Sequence, residues 1–284
     1  MNEARARWSI AVFLLLLVIL TALAVVVPRR LYEIHVVAYA ATPALAALIT
    51  RLVLREGFGG MGWTTRGQLF WQAMLIGFAV PIAVGLLVYI PAWLTGIVAF
   101  TPWNLSYLGL QSGFGSFGIL IAMVITSAVI CIAGLPTAFG EEIGWRGHLL
   151  LRLLEARIFA PYLWCGLIWG AWHFPLILLG FYSDVGVSPG SLLQMGCFMV
   201  SIVAAAYLFA YLRLGSASML PVTVAHAWWN AVTQGALNPV AQDATARLFV
   251  GEGGMLTAAA MVVLTALVWR LWPGSRINSS AAPR

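Results

Sequence analysis

The sequence predicts an all-α, polytopic integral membrane protein of about eight transmembrane helices. Composition is the first ground: of 284 residues only 8% are charged and 62% are hydrophobic, where a soluble domain carries about a quarter charged residues. Mean hydropathy is +0.95, so water is not the main solvent of this chain. The second ground is run length. The apolar residues fall in stretches close to the roughly 20 needed to cross a hydrocarbon core of about 30 Å.

Apolar length read against helix breakers places spans at 8–27, 34–54, 69–90, 117–138, 160–180, 191–212, 219–237 and 254–272. In the first, Arg5 and Arg7 precede an apolar run longer than the core of a cleavable signal, so it reads as a retained anchor. Arg51 lies near the end of the second, where its side chain can snorkel to the interface. Pro81 lies inside the third, and lipid-embedded helices tolerate proline. The connection 91–116, with Pro91, Trp93, Pro102, Trp103 and Tyr107 and no formal charge, reads as interfacial, a re-entrant loop or a helix lying flat. Cys131, Cys165 and Cys197 lie inside apolar segments and read as small buried hydrophobes. The tail after Trp272 is short and polar and reads as disordered.

All fifteen basic residues are arginines, set mostly between or beside the apolar runs. They read as topology signals rather than a nucleic-acid surface. With an inside start, Arg5, Arg7, Arg51, Arg55, Arg66, Arg146, Arg152, Arg157, Arg213, Arg270, Arg276 and Arg284 fall on one side, and Arg29, Arg30 and Arg247 on the other. That asymmetry predicts cytoplasmic termini and an even number of spans.

Ionisable groups at bilayer depth cost several kcal/mol unless paired or hydrated, about 2.5–3.5 on insertion scales. They concentrate in the second half of the chain. Glu141, Glu142 and Arg146 follow the fourth span in a segment, A-F-G-E-E-I-G-W-R-G-H-L-L, that reads as an amphipathic helix at the cytoplasmic surface. Glu142 and Arg146 stand at i,i+4 with the acid N-terminal, the favourable order for an ion pair. Glu141 is turned about 100° away and is available for another role. His148 reads as a surface residue. His173 lies in L-I-W-G-A-W-H-F-P, beside the small residues Gly170 and Ala171 that let helices approach. His226 and Asn230, four apart, share one helical face. Taken singly, each is explained by an interfacial salt bridge or by hydrogen bonds between helices. Together they supply a carboxylate to take a proton from water, imidazoles to orient it or bind a metal, and donors for an oxyanion. No serine or cysteine lies in a comparable setting, which favours a water nucleophile over a covalent one.

These residues resemble the CAAX prenyl endopeptidase and bacteriocin-processing (CPBP or Abi) family of intramembrane proteases. Three ordered motifs carry the likeness: E-E-x-x-x-R as Glu141, Glu142 and Arg146, aromatic-x-x-x-His as Trp169 to His173, and H-x-x-x-N as His226 to Asn230. The resemblance covers about 135–235. It implies that Glu141 and His173 activate the attacking water, that His226 and Asn230 stabilise the oxyanion, and that Glu142 and Arg146 fix the carboxylate geometry. Trp169 stands where phenylalanine is common, a change conservative in size and character. Members of the family are described both as metalloproteases and as metal-independent glutamate proteases. Glu141, His173 and His226 would make a three-ligand zinc site with an open position, although no H-E-x-x-H pair is present.

The resulting division is helices 1–3 with the following loop over 1–116, a catalytic helical core over 117–272, and a tail over 273–284. The expected partners are membrane lipid and a protein or peptide substrate, prenylated or membrane-embedded, in a bacterial or archaeal plasma membrane, with no nucleic acid. A non-catalytic scaffold or immunity factor, or a proton-coupled transporter, stands as the alternative. One tension remains. With the fourth span ending near 138, Glu141 lies near its cytoplasmic end, whereas His173 lies about 20 Å along the fifth. The two meet only if a helix kinks or shifts in depth, and either arrangement predicts a water-filled cavity open to the cytoplasm.

Overall fold

A computed structural model describes residues 1–26, 32–65, 69–101, 116–179, 189–241 and 246–276. Their regular structure is helical, without strands among the described residues. A helix satisfies its backbone polar groups internally, as hydrocarbon requires. Five helices among the described residues are long and apolar enough to cross a bilayer: Glu3–Val25, His35–Val53, Phe70–Leu94, Gly118–Glu155 and Leu192–Ser216. The other predicted segments are also helical but shorter or more polar.

In chain order the helices are α1 (Glu3–Val25), α2 (Tyr32–Ala40), α3 (Thr42–Val53), α4 (Phe70–Leu94, through a π segment at Gly85–Tyr89), α5 (Ser116–Gly144 with its continuation), α6 (Pro161–Leu178), α7 (Pro189–Ser216), α8 (Leu220–Asn230, followed by a π segment Ala231–Leu237) and α9 (Met255–Leu271). The predicted second span is divided at Ala41, just ahead of Pro43, into α2 and α3. Residues 102–115 of the predicted interfacial connection lie outside the described residues. In the tail, Pro273 opens a short 3-10 turn, Pro273–Arg276; the residues after it lie outside the described ones.

The largest departure from expectation is α5. The helix does not end near 138 but runs on through Pro136 to Gly144, through a π segment at Trp145–Leu149, and into Leu150–Glu155. Its two halves have different surroundings. Before 138, Leu120, Val124, Val129 and Ile132 are exposed apolar residues, suited to lipid. From Glu141 to Leu153 every residue is buried. The segment expected at the cytoplasmic surface is therefore inside the protein, because α1, α3 and α6 pack around it. His148, expected on the surface, is buried too, with Nε2 3.4 Å from Ser9 Oγ of α1 and its ring 5.1 Å from that of Phe13.

This long helix removes the depth tension. A short turn at 156–160, with Arg157 and Ala160 both at φ 51°, leads into Pro161 at the first position of α6, where proline's missing N–H costs nothing. The hairpin is antiparallel, so Glu141 lies about 21 Å before the turn and His173 about 18 Å after it at 1.5 Å per residue. Cys165 Sγ reaches Trp145 O at 3.7 Å, and Trp169 meets Glu141 one turn further along both helices. The rotation of α6 is set by Trp172: its indole Nε1 lies 3.1 Å from the hydroxyls of both Thr21 (α1) and Thr42 (α3), and its carbonyl accepts from Tyr39 OH.

Two glycines permit these approaches. A Cβ on Gly144 would press on the Pro43 ring and stand 2.7 Å from the Pro43 carbonyl carbon, and one on Gly170 would stand 2.7 Å from both Ile202 Cγ2 and Met199 Sδ. Small residues of this kind bring membrane helices into backbone contact.

Three arginines read as topology signals are also structural. Arg51 does not snorkel; it is buried and donates to Gly57 O at 2.8 Å and Gly147 O at 2.9 Å. Arg152 pairs with Glu56 and Glu155 at 2.8 and 2.7 Å, and Arg213 donates to Gly60 O at 2.7 Å. The segment after α3 thus supplies carbonyls and a carboxylate to guanidinium groups from three helix ends, which is what makes their burial tolerable. Cys131 and Cys165 are buried as expected, and Cys197 is half-buried.

Gly144→Ala is expected to destabilise the fold by about 1–3 kcal/mol, since the new methyl meets proline backbone rather than a flexible side-chain end. Thermal unfolding in detergent measures it, and a midpoint equal to the parent's would show that α3 can recede from α5.

Candidate active site

Glu142 is fully buried and i,i+4 places it against Arg146, with Nη1 to Oε1 at 2.8 Å and neither side chain exposed. The same Oε1 lies 2.8 Å from His226 Nδ1 on α8. A carboxylate accepts, so Nδ1 carries the proton and Nε2 is the ring's other face. His226 lines a cavity. Arg146 is also stacked, its Cζ 4.2 Å from the Trp169 ring centroid and 4.9 Å from that of Phe209, a cation–π arrangement that favours a desolvated guanidinium. Glu142 Oε2, Arg146 Nε and Arg146 Nη2 have no partner among the described residues and are natural positions for bound water.

Glu141, the adjacent carboxylate, has different surroundings. Its Oε2 accepts from the indole N–H groups of Trp169 at 3.1 Å and Trp145 at 3.4 Å. Both bonds go to one oxygen, so Oε1 remains as an acceptor, and the residue keeps 8% of its surface accessible. Among the described residues no guanidinium pairs with Glu141. The ion pair of Glu142 and Arg146 orients His226 instead of the Glu141 carboxylate, which two neutral indoles position. Trp169 is therefore more than a size match for phenylalanine, because its N–H does what a phenyl ring cannot.

His173 is one turn along α6 from Trp169. Its Nδ1 lies 2.9 Å from Trp169 O, so it donates to that carbonyl and Nε2 is the acceptor nitrogen of the neutral tautomer. The ring is packed against Trp172 and Phe198, centroids 4.7 and 5.3 Å away. Trp169 thus links both groups, Glu141 through its indole and His173 through its carbonyl.

A cavity of about 40 Å³ lies among α4, α6, α7, α8 and α9, large enough for water. His173, His226, Asn230, Trp169 and Ser201 are among its lining residues; Glu141, Glu142 and Arg146 are not. Glu141 is joined to that wall through the Trp169 indole. Of the six residues singled out from sequence, three line the cavity and three stand outside its lining. Glu252, which lines the wall and accepts from Trp229 Nε1 at 2.6 Å, carries no signal in the sequence, because it sits between helices where a charge is unremarkable. Two of the three motif helices turn to π geometry at their motif, α5 from Trp145, within E-E-x-x-x-R, and α8 directly after Asn230, a local widening frequent at functional sites.

As a zinc centre the set fits poorly. Among the described residues no three His, Cys, Asp or Glu side chains gather at metal-ligand range.

Glu142→Gln would leave Arg146 as a buried charge without its counterion, so a loss of about 3 kcal/mol or more is expected. Unfolding measured beside that of Glu141→Gln separates the two carboxylates: the Glu141 variant, which strands no cation, should fall much less.

Residues 116–232 match the family model described as type II CAAX prenyl endopeptidase Rce1-like. The matched span begins with α5 and ends just past Asn230, so it contains all three motifs. The match supports the CPBP family and a CAAX-type intramembrane protease. A comparison with curated proteins finds no match.

Proposed function

We propose, from the CPBP family match over 116–232, that this protein is an intramembrane endopeptidase in which a water molecule attacks the scissile peptide bond and Glu141 is the general base. One observation carries the assignment of the base. Each of two adjacent buried carboxylates takes two donors on one oxygen, but those of Glu142 are the Arg146 guanidinium and the His226 imidazole in a site with no solvent access, whereas those of Glu141 are neutral indoles and the residue keeps 8% of its surface accessible.

In this reading Glu141 Oε1 and His173 Nε2 accept the two protons of the attacking water and orient its lone pair toward the carbonyl carbon. As the C–O bond forms, one proton passes to Glu141 and the carbonyl electrons move to oxygen. His226 Nε2, when protonated, and the Asn230 amide donate to that oxyanion. Glu142 keeps the His226 ring in place through Nδ1. When the tetrahedral species collapses, the C–N bond breaks and the proton on Glu141 goes to the leaving amine, which restores the base. No step is routed through a metal. The arginine asymmetry supports cytoplasmic termini and access to the site from that side.

The test is cleavage by the purified protein of a panel of membrane-associated peptides, prenylated C-terminal ones included. Glu141→Gln and His173→Ala should each lower kcat by about 100-fold or more, and Asn230→Ala by about 100-fold. Cleavage unaffected by the first two would sink the mechanism. Trp169→Phe should retain the fold and lose about tenfold in kcat, the cost of one charge-assisted hydrogen bond. An unchanged rate after confirmed metal removal is expected, and a rate lost on chelation and restored by zinc would overturn the metal-free route.

A further inference from the structure

Helix α7 passes behind the histidines and turns one face to the cavity. Phe198, Ser201, Ile202, Ala205, Leu208 and Phe209 lie on that face at helical spacing. Five are apolar, and of the six Ser201 alone carries a polar side chain. It is 5% exposed, and its Oγ has no hydrogen-bond partner among the described residues. Thr223 and Thr257 are also buried helical hydroxyls without a partner among the described residues, but neither lines the cavity. Thr50, Thr126, Ser216 and Thr233 each bond the carbonyl four residues back, at 2.7, 2.7, 2.6 and 2.5 Å, the ordinary resort of a helical hydroxyl. Ser201 does not. Its neighbour one turn earlier, Phe198, packs on His173, and Ser201 lines the same cavity as both imidazoles, yet no hydrogen bond joins it to either histidine among the described residues.

A peptide entering this site brings N–H and C=O groups that must be satisfied once they leave water. The wall from α7 is apolar except at Ser201, and a hydroxyl can both donate and accept. We infer that Ser201 is a substrate-binding residue of the cavity, its hydroxyl hydrogen-bonding a main-chain peptide group of the bound substrate beside His226 and Asn230. The inference rests on the protease reading, but its readout is binding rather than turnover.

The experiment uses the full-length protein in detergent and a fluorescent farnesylated peptide ending in a C-a-a-X sequence as probe. Its Kd is measured on Glu141→Gln protein with and without Ser201→Ala, and KM and kcat are measured in the parent background. The hydroxyl should be worth about fivefold to tenfold in Kd and KM, with kcat changed by less than about twofold. Ser201→Thr, which keeps the hydroxyl, should hold Kd within about threefold. The thermal midpoint of Ser201→Ala should equal or exceed the parent's, since an unpartnered buried hydroxyl is removed. An unchanged Kd in a folded Ser201→Ala protein overturns the inference, as does a loss confined to kcat. Cleavage that persists in Glu141→Gln sinks the catalytic reading while leaving Kd to decide on Ser201. No saturable binding of the probe overturns both.

Discussion

A carboxylate that has lost all contact with solvent must be neutralised, and Glu142 imposes that requirement on four helices, its own included. Arg146 meets it from the same helix and His226 from α8, both through one oxygen. Because a guanidinium buried with a single counterion is itself expensive, Arg146 is further stacked against Trp169 of α6 and Phe209 of α7. The position of α8 relative to the α5–α6 hairpin, and with it the direction His226 faces, follows from keeping one charge pair dry.

The same arrangement differentiates two neighbouring acids. Glu141 and Glu142 are adjacent in the chain, and the roughly 100° between successive helical residues sends one to the cationic network and the other to the indoles of Trp145 and Trp169. Neutral donors fix a carboxylate without offsetting its charge, whereas a guanidinium beside it neutralises the charge and lowers its basicity. Trp169 also receives the His173 Nδ1 proton at its carbonyl, so one residue of α6 sets the base and the first histidine together. Its rotation is held from outside the site by Trp172, wedged between the threonines of α1 and α3. The N-terminal helices, which carry none of the motif residues, contribute to the site in this way.

The motifs are legible because hydrocarbon penalises every ionisable or hydrogen-bonding side chain, so Glu141, Glu142, Arg146, His173, His226 and Asn230 stand out against apolar helices without any structure. The Glu142–Arg146 pair is readable from i,i+4 spacing alone. Other features are not. Arg51, Arg152, Arg213 and His148 read as interfacial because a sequence shows a charge but not the carbonyls and carboxylates that another segment brings to it. Trp169 reads as a conservative exchange because its indole N–H has meaning only beside Glu141. Ser201 gives no signal because serines in membrane helices usually satisfy themselves on their own backbone, and only coordinates show one that does not.

The sequence by itself determined an all-helical membrane protein, the approximate position of each helix, and the identities of the polar groups at its centre. Those follow from local periodicity and from transfer cost, which are properties of short stretches of chain. The tertiary structure alone decided that α5 continues past Glu141 into a buried π segment and returns along α6, bringing Glu141 and His173 to one depth. The reason is physical. A run of polar and apolar residues after Pro136 is compatible with a helix on a membrane surface or with one inside a bundle, and the choice depends on whether α1, α3 and α6 arrive to cover it.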